Sequence, residues 1–186
     1  WGKYPIIEGK EKFLRSEGVF SSETNWTPRG MGRRYGDSSL GKNMLSSLKL
    51  NKFLQFEEST GILHCQSGVT YEDILNTFVP KEWFPPVTPG TKFVSMGGAM
   101  ASDVHGKNHH SEGAISSHIL DFNLLTAKGE LLHCSREENP DVFNATMGGM
   151  GLTGFILDLR IQLKPISSAW IKMESIKARN LEEIIN

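Results

Sequence analysis

The chain has 186 residues, enough to bury a sizeable core in one or two domains. Its apolar and charged fractions, 38% and 22%, are those of a soluble globular protein, and a net charge of −1 argues against a nucleic-acid or membrane-surface binder. No apolar run is long enough to cross a bilayer, and Cys65 and Cys134 are too few for a disulfide scaffold.

The opening residues, WGKYPIIEGKEK, lack the apolar core of a secretory signal, which a processed N-terminus would have lost. With both cysteines read as small core hydrophobes, the expected compartment is reducing, the cytoplasm, with a periplasmic or membrane-associated location as the alternatives. Residues 27–39, TPRGMGRRYGDSS, set Gly30, Gly32 and Gly36 among Arg29, Arg33 and Arg34. Glycines allow positive φ and close backbone approach. Successive exposed N–H groups beside guanidinium groups form an anion-binding nest. The same composition also suits a plain surface turn with solvated arginines.

GILHCQSG (61–68) predicts a short strand. It leads into TYEDILNTF, a helix capped by Thr70 with Asp73 three residues on, ending before Pro80. Residues 84–106, FPPVTPGTKFVSMGGAMASDVHG, turn at Pro89-Gly90 and then run bare through Gly97, Gly98, Ala99 and Ala101. Such a run lies against a flat or charged ligand, or lets a helix start pack tightly on a strand; both hold at a helix N-terminus that binds an anion.

His105 and His109 are spaced i, i+4 with His110 adjacent, which raises a metal site. Gly106 and Asn108 between them disfavour a regular helix, and no H-E-x-x-H is present, so no metal is expected. His64, His118 and His133 lie in or beside strands and read as structural or exposed. Neither a G-x-S-x-G elbow nor a Cys–His catalytic signature occurs, which leaves hydrolase chemistry without support.

ILDFNLLTAKGELLHC (119–134) predicts a hairpin turning at Lys128-Gly129. NPDVFNATMGG (139–149) predicts a short helix with Pro140 in its first turn and Gly148 ending it. In GGMGLTG (148–154), Gly149, Gly151 and Gly154 fit G-x-G-x-x-G. That fingerprint requires a strand before and a helix after, and here the order is reversed, so a Rossmann site is rejected. FILDLRIQLKP (155–165) alternates, with Leu157, Leu159, Ile161 and Leu163 on one face of a half-buried antiparallel strand stopped by Pro165. NLEEIIN (180–186) opens a helix at Asn180, with Glu183 three residues on, and reads as the start of a further domain. Interspersed strands and helices give the class α+β.

With three glycine-rich segments in this order, the chain resembles the FAD-binding (PCMH-type) domain of the vanillyl-alcohol-oxidase-type flavoproteins. The resemblance is carried by RGMGRRYGD (29–37), PGTKFVSMGGAMASDVHGKNHH (89–110), LLTAKGE (124–130) and GGMGLTGFI (148–156), and covers residues 28–165. HGKNHH points to a ribose-oxidase-like branch. The resemblance implies two α+β subdomains clasping FAD, divided at about residues 1–86 and 87–166, with 167–186 beginning a C-terminal substrate domain.

It further implies that Pro28, Arg29, Gly30, Met31, Gly32, Arg33, Arg34, Tyr35, Gly36, Asp37 and Ser38 wrap the FAD pyrophosphate. Gly90, Ser95, Met96, Gly97 and Gly98 would lie along pyrophosphate and flavin with their amides. Ser102, Asp103, Val104 and His105 would follow the flavin edge, and Ile156 the nucleotide end. Arg33 fills the slot where many relatives carry a flavin-bonded histidine, so FAD is expected to be non-covalent. Arg34 stands where the branch often has a small residue, either to tighten pyrophosphate binding or to point to water. The implied reaction is oxidation of a secondary alcohol of a small-molecule or lipid-linked sugar, the flavin taking the hydride; the alternatives are an FAD-linked oxidase of another polyol, a sugar lactone or a hydroxy acid, and a non-catalytic nucleotide-binding module. His105, Lys107 and Tyr35 resemble substrate-side residues, and none is identified as the base. A partner reductase and the electron acceptor are left open.

Overall fold

In a computed structural model of the chain, residues 4–14, 25–34 and 36–185 are described. The N-terminal part forms a parallel sheet of three short strands. Strands β1 (Lys10–Phe13) and β2 (Thr27–Arg29) both pair in parallel with β3 (Asn43–Ser46), in the order β1-β3-β2. Behind it Leu14, Leu45, Leu50 and Phe155 make a small core, on which Trp26, Leu125 and Leu157 pack.

From residue 53 onward the chain builds a second, antiparallel sheet. In chain order come β4 (Phe53–Glu57), β5 (Ile62–Gln66), α1 (Tyr71–Phe78), β6 (Trp83–Phe84), α2 (Met96–Ala101), α3 (His109–Glu112) and β7 (Ile119–Leu125). Then follow β8 (Leu131–Ser135), α4 (Pro140–Thr146), β9 (Phe155–Gln162), β10 (Lys164–Pro165) and α5 (Leu181–Ile185). The five-stranded order is β4-β5-β9-β7-β8. Its covered face and the helices enclose the main core, which includes Leu63, Ile74, Phe78, Met96, Met100, Phe122 and Leu159. Helices mixed with antiparallel strands are the α+β arrangement the sequence implies. Sheet pairing crosses residue 86: β5 precedes it and β9 follows it, and they pair over Ile62↔Gln162 to Gln66↔Asp158.

Local signals act where the sequence places them. Thr70 caps α1: its Oγ1 accepts from the Asp73 amide at 3.2 Å, and Asp73 Oδ2 accepts from the Thr70 amide at 2.9 Å. Tyr71, Ile74 and Phe78 put the apolar stripe of α1 into the core. Thr70→Ala should lower stability by about 1 kcal/mol, a fall of about 2–4 °C in a thermal melt. The β7–β8 turn closes with Gly129 at φ 83° and its amide donating to Thr126 O at 3.0 Å. Asn180 caps α5, its Oδ1 accepting from the Glu183 amide at 3.0 Å. Cys65 and Cys134 are buried and unpaired, and burial raises both thiol pKa values, so they behave as core hydrophobes.

Two expectations for β9 need correction. Leu159, Ile161 and Leu163 enter the main core, but Leu157 packs with Phe155 on the small one, and Ile156 takes the main-core side. Between Asn123 and Leu124 of β7 the partner on β9 jumps from Asp158 to Ile156. Leu157 is the extra residue of a bulge, which reverses the facing of everything before it. Pro165 also does not stop the pairing: Lys164–Pro165 forms a two-residue antiparallel pair with Trp83–Phe84, an edge position that tolerates a missing N–H.

Candidate functional site

The three glycine-rich segments, far apart in sequence, line one cleft of about 660 Å³, within the range of small-molecule and cofactor sites. The loop after β2 is braced from behind by Arg29. Its carbonyl accepts from the Ser47 amide at 2.9 Å, and its Nη1 donates to Ser39 O at 3.1 Å. Its Nε lies 3.8 Å from the Glu11 carboxylate. The loop then turns through Gly32 at φ 63°. A Cβ on Gly30 would lie 2.2 Å from Ser95 Oγ, so the loop is pressed onto the start of α2.

The second wall is α2. Ser95 is its N-cap, with Oγ accepting from the Gly98 amide at 3.4 Å. The amides of Met96 and Gly97, expected to serve a ligand, are already committed to Val69 O and Ser67 O, both at 2.8 Å. A Cβ on Gly97 would meet Ser67 Cβ at 2.9 Å, so the small residue there serves close packing. Gly98 retains only the long Ser95 contact. The third wall is stapled to the end of α2, Gly148 donating to Met100 O at 3.0 Å and Met150 to Ala101 O at 2.8 Å. The Met100 carbonyl also accepts from the Asp103 amide at 2.9 Å, while Met150 supplies the partner that Ala101 O lacks at the helix C-terminus.

Of the residues implicated by sequence, Pro28, Arg29, Gly30, Met31, Gly32, Arg33, Arg34 and Ser38 line the cleft. So do Gly90, Ser95, Gly97, Gly98, Ser102, Val104, His105 and Ile156. Gly36 and Asp37 are exposed, and neither is among the lining residues. Met96 is buried in the main core. Asp103, at φ 41°, turns its carboxylate to the Ser116 amide at 3.0 Å and braces the loop instead. Lys107 is exposed and outside the lining, and Tyr35 lies outside the described residues. Sequence reasoning missed Ser39, Ser47, Ser67, Val94 and Phe155, which also line the cleft. The signal available was position: Ser47 and Ser67 directly follow β3 and β5, and strand ends are where sheet proteins place ligands.

Among the described residues the lining carries Arg29, Arg33, Arg34 and His105 and no aspartate or glutamate. Three of its polar atoms, Arg34 Nε, Ser38 Oγ and Ser67 Oγ, are buried without a hydrogen-bond partner, a cost of about 1–3 kcal/mol each unless something supplies acceptors. Arg33 lies over the Phe93 ring at 5.7 Å. Met31, Val94, Val104 and Phe155 give the cleft apolar wall as well. A flat, anionic, oxygen-rich ligand fits all of these demands. His105 is exposed at the cleft edge, with the His109 ring 5.7 Å away. Among the described residues no group of three His, Cys, Asp or Glu could hold a metal ion, and no helix is long and apolar enough to cross a membrane.

Residues 20–135 match a protein family described as FAD binding domain. The chain is 36% identical over 160 residues, 84% of its length, to decaprenylphosphoryl-β-D-ribose oxidase of Mycolicibacterium smegmatis, and covers 35% of that protein. It is 30% identical over 109 residues to cytokinin dehydrogenase 2 of Arabidopsis thaliana, covering 58% of this chain and 22% of that one. With D-lactate dehydrogenase of Anaerostipes hadrus it shares 26% identity over 167 residues, 86% of this chain and 35% of that one. The chain thus spans about a fifth to a third of the length of these relatives.

Proposed function

The chain belongs to the FAD binding domain family, and from that membership we propose that it holds the cofactor of an oxidoreductase acting on a secondary alcohol of a lipid-linked ribose. The observation that carries the cofactor assignment is the cleft lined, among the described residues, by three arginines and a histidine and by no carboxylate. The HGKNHH segment and the 36% identity to a decaprenylphosphoryl-β-D-ribose oxidase support the substrate class. Similarity to a D-lactate dehydrogenase favours a hydroxy acid as the second reading. The small parallel-sheet core and the main core are read as the two subdomains of the FAD-binding fold.

When bound, FAD supplies the two-electron acceptor. Arg34, Ser38, Ser67 and the Gly98 amide, all from cleft-lining residues, would hold its diphosphate by charge-assisted hydrogen bonds, worth about 1.5–3 kcal/mol where a charge is involved. Val94 and Val104 would give the bound cofactor an apolar, water-excluding wall. His105 orients the substrate hydroxyl at the open edge. We place the proton acceptor and most of the substrate pocket in the part of the relatives that these residues do not span, so this segment alone should turn over no substrate. Cytoplasmic location remains part of the proposal; a partner reductase has no support in these residues and is not proposed.

The test is the visible spectrum of the full-length protein, before and after substrate. Yellow protein bleached by decaprenylphosphoryl ribose under anaerobic conditions is the expected result. Bleaching by D-lactate alone would replace the substrate, and protein that neither carries nor takes up FAD would reduce the cleft to a nucleotide-binding module. Arg33 cannot form the bond a histidine makes, so acid precipitation should leave all of the flavin in the supernatant. A yellow pellet after washing would show a covalent link.

A further inference from the structure

His105 reaches the cleft edge on a segment whose flanks are both fixed. On one side Ile115 N donates to Val104 O at 2.9 Å; on the other Glu112 Oε1 accepts from Lys164 Nζ at 2.9 Å, tying α3 to β10. Between these points the segment meets residues 85–91, of which Pro89, Gly90 and Thr91 also line the cleft. Pro85, Pro86 and Pro89 have no N–H to donate. Among the described residues one hydrogen bond joins residues 85–91 to a segment distant in sequence: Asn108 Nδ2 donates to Pro86 O at 3.0 Å. Nearby, Gly106 is buried, and a Cβ there would lie 2.8 Å from Thr88 O and 2.7 Å from Asn108 Oδ1. The two segments thus pack backbone to backbone at Gly106 and are bonded at Asn108. Pro86 is itself buried, so its carbonyl has little water to fall back on once that donor is lost.

We propose that Asn108 is a positioning residue: by holding residues 85–91 to the histidine segment, it sets where His105 stands relative to Gly90 and Thr91 on the cleft rim. Asn108 is not among the lining residues, so it acts through His105 rather than on the substrate itself. Orientation at a reacting centre is steep, and a displacement of about 1 Å can cost about 100-fold in rate. The bond joins two rim segments and leaves the first glycine loop alone, so cofactor affinity should not depend on it. This inference rests on the oxidation proposed above, and a readout that needs no substrate separates the two.

The experiment uses the full-length protein loaded with FAD and follows flavin reduction by anaerobic stopped flow, with the substrate that bleaches the wild type. Asn108→Ala should slow reduction by about 10- to 100-fold while FAD affinity stays within about twofold. Dithionite, which needs no oriented hydroxyl, should reduce both proteins equally fast. Gly106→Ala, which forces the same two segments apart, should reproduce this pattern. Trypsin gives the readout without substrate: cutting after the exposed Lys107 should become several-fold faster in Asn108→Ala. A wild-type rate of reduction in the folded variant, or FAD affinity falling as far as the rate, would overturn the positioning role. Protein that takes up no FAD would end the proposed oxidation and this role with it, while faster cutting would still mark the bond as a purely structural clamp. Circular dichroism checks the fold, and Asn108→Asp, similar in size and without the donor, is the working variant should Asn108→Ala not fold.

Discussion

Gly98→Val is expected to strip the protein of FAD while leaving it folded. Glycine within a helix costs about 1 kcal/mol relative to alanine, so the fold alone would prefer a side chain here. A Cβ built on Gly98 meets nothing within 4 Å except Ser95 Oγ at 3.0 Å, a single hydroxyl that can give way. The added atoms enter the cleft that Gly98 lines. Forcing that volume into a fitted site costs about 1–3 kcal/mol, an affinity loss of about 5- to 150-fold. Flavin fluorescence quenching measures it, with far-ultraviolet circular dichroism as the check on folding. Unchanged FAD affinity in a folded variant would put the cofactor elsewhere.

Gly68→Ala has the opposite signature, a loss of stability with the cleft intact in composition. The Gly68 amide donates to Leu50 O at 2.8 Å, bringing the turn after β5 against the turn after β3. A Cβ there would sit 2.0 Å from Ser47 O and 2.7 Å from Leu50 O, both backbone atoms that cannot swing aside. Separating the two turns should cost about 3 kcal/mol, at the upper end for overpacking. For a chain of this size that lowers the melting temperature by about 6–12 °C. Ser47 and Ser67 flank this contact and both line the cleft, so FAD should weaken in parallel. A melting temperature within a degree of wild type would mean that the two turns are not in contact.

Much of this was legible residue by residue. The Thr70–Asp73 capping box, the Gly129 turn and the Asn180 cap are short-range chemistry, complete within a few residues, and the structure forms each of them. The reversed order around Gly149, Gly151 and Gly154 correctly excluded a Rossmann turn, since β9 follows those glycines. Long-range pairing was not legible. Strands β1, β2 and β3 have three or four residues each, too few to show a period, and their parallel pairing joins distant segments. The pairing of β5 with β9 across residue 86 was hidden for the same reason, because nothing local in β5 names its partner. The bulge at Leu157 was hidden by an alternation that continues through it. Glycine marked the segments that line the cleft but not the use of each amide. Whether a bare N–H serves a ligand or a neighbouring carbonyl depends on what packs behind it, as Met96 and Gly97 show.

The reversal of facing at Leu157 ties the two halves of the molecule mechanically. Phe155 lies in one interior with Leu157 packed against it, and Leu159 and Ile161 lie in the other, along a single strand, a rod of backbone. Neither interior can melt without pulling the same rod out of its neighbour, so the pair must come apart as one cooperative unit. The crevice is bordered by the N-terminal end of that rod, at Phe155 and Ile156. Whatever occupies the crevice therefore grips the hinge common to both halves and protects them together.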